Sequence, residues 1–357
     1  IDALSEETIQ SYRISGLNDL ARVVPGLSMR SFSESNQTIT IRGVSNALGG
    51  SALVGIYQDE VPMSLHPQVQ ADLQPIDIKR LEVLRGPQGT LYGQGSIGGT
   101  IRYITNSPNF DEVEGDIGAS FYSTEDGDSS NEINATLNVP VIDNRLAFRI
   151  AANYKDLGGW IDQPDIDKKD VNDNQKSYIR LKALWQVSDE FLVEAMILRS
   201  RTDSGASNIA NFKTANGDTF YRMVERNGLP LLSSDQTAET DGYNLTINYD
   251  FDFATLTSSS SQINLGLRYD ADSFNVGQDP NINSGGINID GIFEPEGFTQ
   301  EVRLASNAQD AAWEWVVGVF YSDTDYTLSL GDRGSYFAGA GTSLGGFETV
   351  NSSEAKA

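Results

Sequence analysis

The sequence contains no cysteine, so it holds neither disulfides nor thiolate metal sites. Its one histidine is His66. No multi-histidine metal site can form, and a Ser–His catalytic pair would have to be built on that residue, whose place beside Pro67 reads as polar loop. Positive charge is scarce: 25 lysines and arginines stand against 50 aspartates and glutamates, for a formal net charge of −25. Nucleic acid is not expected as a partner, since phosphate binding needs a basic face. Long apolar runs are also missing. A membrane helix needs roughly eighteen or more such residues, and "WVVGVFY" (315–321) is among the longest stretches here. No carboxylate pair, nucleophile–base set or metal cluster stands out, so an enzyme is not expected. The chain is therefore either soluble or a membrane β-barrel, whose alternating strands do not register as hydrophobic overall. It opens at Ile1 without a leader-like segment, which reads as a mature chain or a missing start.

Glycine, by contrast, is concentrated in "KRLEVLRGPQGTLYGQGSIGGTIRYITNSP" (79–108), which contains a literal G-x-G-x-x-G at Gly93, Gly95 and Gly98. A dinucleotide loop must open a helix, because the pyrophosphate sits on the helix N-terminus. The next residues are "GTIRYITN", β-branched and alternating, which reads as a strand. Gly93 also lies well beyond the end of the preceding apolar run. The glycines are read as a tight strand–turn–strand connection in which backbone approaches backbone closely.

The chain changes style near residue 110. Before it, "SEETIQSYR" predicts a short helix with Ser5 as N-cap and Glu6 and Glu7 at the positive end. "GLNDLARVV" predicts a second helix stopped by Pro25 and Gly26. Short strands come next, in "TITIRGV", "LVGIYQDEV", "KRLEVLRG" and "GGTIRYITN". From about Gly115 the pattern is long and alternating. In "RLAFRIAANYK", Leu146, Phe148, Ile150, Ala152 and Tyr154 oppose Arg145, Arg149, Asn153 and Lys155. "NEINATLNV", "YIRLKALWQV" and "NLTINYDFDF" repeat that division.

Alternation alone fits a soluble antiparallel sheet as well as a barrel. Connection lengths separate the two. The links 141–144, 188–190, near Asp252 and 307–310 are short, while 125–130, 156–175, 203–240 and 267–296 are longer. Short and long alternate through nine predicted strands, as periplasmic turns and extracellular loops do in a membrane barrel. Aromatic residues such as Trp160, Trp313, Trp315 and Tyr321 fall near strand ends, as interfacial girdles do.

With "IRGV", "GIYQDEVP", "LEVLRGPQGTLYGQGSIGGTIRYIT", "FTQEVRLAS" and "WEWVVGVFY" in sequence, the whole chain resembles a TonB-dependent outer-membrane receptor of the siderophore-receptor kind. The resemblance implies an α+β plug domain (1–110) followed by antiparallel transmembrane β-barrel strands (111–357). About nine strands cannot enclose a plug, whereas plugged lumens need about twenty-two. The expectation is thus a fragment of a 22-stranded barrel, without the TonB-binding segment, which in the family lies upstream of the plug. The plug motif comprises Gly86, Pro87, Gly89, Tyr92, Gly93, Gly98 and Gly99. Arg42 and Arg85 match arginines that in the family lock the plug to wall carboxylates. Glu301 is a further candidate for plug–barrel locking, and Glu82 is another that could pair locally with Arg80 or Arg102. Ligand contacts are implied at the plug apices 29–36, 45–52 and 61–68, with Arg30, Phe32, Asn46, Leu48, Met63 and His66 as candidates.

The implied function is energised uptake of a scarce nutrient at the bacterial outer membrane. The expected cargo is an iron–siderophore complex, with no covalently bound cofactor and with the TonB complex and membrane lipid as partners. Cobalamin or glycan uptake, a passive pore, and a soluble or cell-surface carbohydrate-binding β protein are the alternatives. The loop alternation and the plug motif argue against the last. If the glycines serve a turn, titration with NAD or ATP gives no saturable binding up to millimolar ligand, and a micromolar Kd contradicts that reading.

Overall fold

The computed structural model of the chain describes residues 2–33, 36–45, 52–66, 71, 73–88, 96–162, 167–205, 212–213, 219–220, 235–273, 287–307, 313–332 and 347–356. Among them no helix is long and apolar enough to cross a membrane, which says nothing of strands.

The first part is small and mixed. Strand β1 (Asp2–Ser5) leads into α1 (Glu6–Ser11), where the Ser5 hydroxyl accepts from Thr8 N–H and Glu6 and Glu7 occupy the first turn. Helix α2 (Leu17–Val23) buries Leu17 and Leu20 and stops ahead of Pro25. Seven strands come after it: β2 (Leu27–Ser33), β3 (Asn36–Ile41), β4 (Val44–Ser45), β5 (Val54–Gln58), β6 (Val61–Pro62), β7 (Ile78–Arg85) and β8 (Gly99–Thr105). Two sheets form, in the orders β1-β7-β8-β5-β6 and β2-β3-β4. They enclose an apolar core that includes Leu20, Ile39, Ile41, Ile56, Leu81, Val83 and Ile101. Residues 29–33 of the expected apex 29–36 belong to β2, because Leu27, Met29 and their neighbours find a partner in β3.

The ends of the glycine stretch explain its composition. Gly86 N–H donates to Gly98 O (3.0 Å) and Gln88 N–H to Ser96 O (2.8 Å), so the chain leaves β7 and re-enters β8 through a narrow neck. Gly86 and Gly99 both have positive φ, at 97° and 152°. A Cβ on Gly99 would collide with the Leu84 carbonyl, so only glycine fits. Gly89, Tyr92, Gly93 and Gly95 lie outside the described residues.

The second part is one antiparallel sheet. Its strands are β9 (Glu114–Ser123), β10 (Ser129–Ile142), β11 (Leu146–Leu157), β12 (Asn174–Gln186) and β13 (Phe191–Ser204), then, past a short pair β14 (Phe212–Lys213) and β15 (Thr219–Phe220), β16 (Gln236–Asp250), β17 (Ala254–Ser273), β18 (Ile287–Ser306), β19 (Val316–Asp332) and β20 (Phe347–Lys356). They pair in sequence order from β9 to β20, with β14 and β15 apart. Ten strands stand where nine were expected, the tenth being β20. The expected loop 267–296 is also partly strand, since β17 and β18 remain paired as far as Ser273 and Ile287. The ladder continues past the point where apolar alternation stops, because backbone pairing does not need apolar side chains.

The burial pattern of this sheet is inverted relative to a water-soluble one. On β12, Lys176, Arg180 and Lys182 are buried while Ile179, Leu181 and Trp185 are exposed. On β11, Asn153 and Lys155 are buried and Tyr154 is exposed. The polar face is covered by the first part of the chain, and the apolar face looks outward, as a barrel wall in lipid requires. Aromatic rings contact one another along the outward face at the short-turn end, in the series Phe191–Tyr249–Phe251–Phe253 with centroid spacings of 6.1, 4.8 and 5.8 Å, the first two contacts tilted and the last stacked.

An outward face carrying Ile117, Phe121, Ile179, Leu181, Trp185 and Ile197 is too large an apolar patch for a soluble monomer. In lipid, the free edges of β9 and β20 would leave backbone groups unsatisfied. Residues 1–357 produced alone are therefore expected to aggregate. A monodisperse, cooperatively unfolding monomer of 38.8 kDa in sizing and calorimetry contradicts the wall assignment.

Candidate functional site: the plug–wall interface

The inward face of the wall presents cations, and the small domain presents carboxylates to meet them. Asp77 sits immediately before β7 at φ 54°, a left-handed conformation that aspartate tolerates. Its side chain is 3% exposed. Arg149 on β11 donates to it through Nε (2.8 Å) and Nη2 (2.7 Å), a bidentate fork. Arg180 on β12 donates through Nη2 at 3.1 Å, and the same nitrogen reaches the Asp77 carbonyl. Asn106 contributes a further bond of 2.9 Å. These four side-chain donors match the acceptor capacity of one carboxylate. Arg149 also donates to Glu114 at the start of β9.

A second contact lies nearby. Asp59, in the β5–β6 turn at φ 52°, holds Thr105 through its backbone N–H (2.8 Å) and hydroxyl (2.7 Å). It also accepts from Lys182 Nζ at 3.2 Å. Lys182, 2% exposed, is shared with Glu194 of β13 at 2.7 Å. Gln58 donates to the Tyr178 hydroxyl at 3.4 Å, and Lys155 Nζ donates to the Ser15 carbonyl at 3.3 Å.

The third contact is a charge relay that reaches the wall at β18, through the residue next to Asp59. Arg80 and Arg102 clasp Glu82 at 2.6 and 2.9 Å, Arg102 approaches Glu60 at 3.8 Å, and Glu60 meets Arg303 of β18 at 3.3 Å. Arg303 in turn meets Glu301 at 3.3 Å. Burial alone would raise the Glu82 carboxyl, but the bonds and charges of Arg80 and Arg102 outweigh it and hold Glu82 below the ordinary carboxylate range. Its contribution to stability is present above the unfolded pKa and is lost as pH falls through the lowered folded value.

The residues singled out from sequence are distributed unevenly over this interface. Glu82 and Glu301 stand at the two ends of the relay, each paired within its own domain. Arg85, considered as a lock to the wall, is paired inside the plug instead, with Asp2 at 3.0 Å and the Pro25 carbonyl at 3.1 Å. Its place at the end of β7, beside the β1 edge, directs it there. Arg42 lies exposed in the turn after β3, with its guanidinium next to Gly86. Among the described residues, neither arginine forms an ion pair with a wall carboxylate. Asp59 and Asp77 were not found from sequence. Each is an isolated acid at a turn, and Asp77's partners lie 72 and 103 positions away.

At the opposite end, Met63 is fully buried, and His66 sits against Tyr326 (5.0 Å) and Phe293 (6.0 Å), which stacks on Tyr269. Burial pushes the His66 imidazole below its usual value, favouring the neutral ring. Arg30 is exposed on β2. Phe32 belongs to β2 by its backbone, and Asn46 and Leu48 lie outside the described residues. Among the described residues no group of three or more histidines, aspartates or glutamates is arranged to hold a metal.

Parts of this chain match known proteins. Residues 1–100 match the TonB-dependent Receptor Plug Domain family. The pesticin receptor of Yersinia pestis is 38% identical over 98 residues, which is 27% of this chain and 14% of that protein. The hemin receptor of Yersinia enterocolitica is 31% identical over 106 residues, 29% of this chain and 15% of that one. The match thus covers only about a seventh of the length of these relatives. In fold, the ferric yersiniabactin uptake receptor FyuA of Yersinia pestis superposes with a TM-score of 0.79 at 18% identity, over 99% of this chain and 60% of that one. Residues 1–100 thus match a TonB-dependent receptor plug domain, and the chain as a whole has the fold of a plug set against part of a β-barrel wall.

Removing one partner of a buried ion pair leaves the others uncompensated, so Asp77→Ala is expected to destabilise the seated plug by about 3–5 kcal/mol in urea unfolding of the full-length receptor in micelles. A loss below about 1 kcal/mol, the size of an exposed pair, would show that Asp77 does not hold the plug.

Proposed function

We propose that the chain is the plug and first part of the wall of a receptor that carries a ferric siderophore across the outer membrane, driven by TonB. The observation that carries this reading is the mode of plug seating. The plug's apolar core continues onto wall residues such as Met196, Leu198, Leu265 and Phe293, whereas the rest of its contact with the wall is ionic and hydrogen-bonded. Such a contact can be broken and remade in a hydrated lumen without unfolding the plug core, as a gated passage demands. A permanently open pore has no use for it.

The aromatic group at the outer end supports an iron chelate as cargo. His66 of the plug and Tyr269, Phe293 and Tyr326 of the wall form one cluster. Flat rings of this kind offer stacking surfaces to the aromatic or heteroaromatic groups by which many chelators bind iron. The named relatives are receptors for pesticin and hemin, and the structural neighbour takes up ferric yersiniabactin. TonB would engage a segment preceding the plug and pull through β1, an edge strand held by four residue pairs to β7.

Cells lacking other receptors and expressing the full-length protein are expected to accumulate radiolabelled iron from at least one member of a panel of catecholate, hydroxamate and phenolate siderophores. Accumulation should require both TonB and the proton-motive force. Uptake of cobalamin or of an oligosaccharide, with none of iron, overturns the cargo assignment.

A further inference from the structure

The plug does not grip the wall evenly. Toward β11 and β12 it is fixed by Asp77 and Asp59, and at β18 by Glu60. Between these points the inward face of β16 and β17 is neutral. Asn244, Thr246 and Asn248 stand directly opposite Ser261, Ser259 and Thr257. Their polar groups are satisfied within the wall. Asn244 donates to the hydroxyls of Ser259 (3.0 Å) and Ser261 (3.1 Å), the Thr246 hydroxyl donates to Asn244 Oδ1 (3.0 Å), and Thr257 donates to Asn248 (2.8 Å). Among the described residues, no hydrogen bond or ion pair ties these six to the plug.

Over this stripe lies a polar cavity of about 450 Å³, bounded on the plug side by Asp59, Glu60, Lys79 and 104–107, and on the wall side by Asn244, Thr246, Asn248 and Thr257 together with Lys182, Glu194 and Arg303. It lies at the short-turn end of the sheet. Farther along β17 on the same face, Ser259 and Ser261 give way to the buried Ile263, Leu265 and Leu267, and then to Tyr269 of the aromatic cluster. This pair of strands thus carries an aromatic ring at the outer end, an apolar band below it, and then a hydroxyl and amide track that faces the polar space at the inner end.

We infer that the passage for cargo opens along β16 and β17, and that the plug stays anchored on β11 and β12 through Asp77 while it does so. Parting the plug from β16 and β17 breaks no ion pair with those strands and separates the apolar contact of Ile263, Leu265 and Leu267, whereas parting it from β11 and β12 exposes a carboxylate and two arginines. Once uncovered, the track offers hydroxyls and amides that can exchange their mutual bonds for bonds to a passing ligand. It suits a neutral or weakly charged ligand rich in hydroxyl, amide or carbonyl groups. This inference rests on the uptake reading above.

The test uses the full-length receptor in cells and whichever radiolabelled ferric siderophore of the panel the unsubstituted protein takes up. Replacing Thr246→Val, Thr257→Val, Ser259→Ala and Ser261→Ala together keeps the volume close and removes the hydroxyls. Uptake is expected to fall about tenfold while surface binding in de-energised cells is unchanged. A second measurement guards against misfolding, because the 357 residues contain no cysteine of their own. With cargo and proton-motive force present, a hydrophilic thiol reagent should label Thr246→Cys several-fold faster than in de-energised cells. Ala151→Cys, buried on the inward face of β11, should label no faster. Unchanged uptake in the fourfold variant, or equal acceleration at Ala151→Cys, overturns this inference and leaves the uptake reading standing. If the unsubstituted receptor takes up none of the panel, the uptake reading falls and this inference falls with it.

Discussion

A charge enclosed between a plug and a barrel wall must be paired, and that requirement organises this protein. Asp77 is almost wholly shielded from solvent and is surrounded by the forks of Arg149 and Arg180 and the amide of Asn106. Separated from any one of them, the remainder would be left buried and unbalanced, at a cost of several kcal/mol. The two arginines come from adjacent strands, so the carboxylate also fixes where the plug sits along the wall. Asp59 with Lys182 and Glu60 with Arg303 repeat the theme at the margins.

Two different solvents shape the two domains. The plug hides its apolar residues from water in the ordinary way. The wall turns its apolar residues outward and keeps arginine, lysine, asparagine and serine within. Apolar packing crosses from one to the other where the plug core meets Met196 and Leu198 of β13 and Ile263, Leu265 and Leu267 of β17, and again at the aromatic group around His66. Ion pairs and hydrogen bonds elsewhere keep the contact strong at few points and replaceable by water at the rest.

How much of this could be read beforehand depends on whether the signal was local. Helix α1 was legible because Ser5 and the acids after it form a cap within a few residues. The wall strands were legible because alternation repeats every second residue. Strand β20, "FETVNSSEAK", was not: both of its faces are largely polar, and it is a strand only because β19 offers it a ladder. Strand β1 is four residues long and depends in the same way on β7. The strand after the glycine stretch was legible from its β-branched alternation, and at that strand's first residue a collision such as that between a Cβ on Gly99 and the Leu84 carbonyl leaves room only for glycine. The plug–wall pairs left no local trace. Arg42 and Arg85 drew attention by their resemblance to a motif, whereas Asp59 and Asp77 are ordinary turn acids until the fold brings Arg149, Arg180 and Lys182 to them.

Asp77 and the wall arginines act as one unit, and a double-mutant cycle on the full-length receptor measures this directly. Unfolding free energies of Asp77→Ala, Arg180→Ala and the double variant should be compared with the unsubstituted protein in the same micelles. Clear non-additivity is expected, with a coupling energy of about 1–3 kcal/mol and a double variant less destabilised than the sum of the singles. Additivity within about 0.5 kcal/mol would contradict the pairing, because residues that do not touch behave in that way.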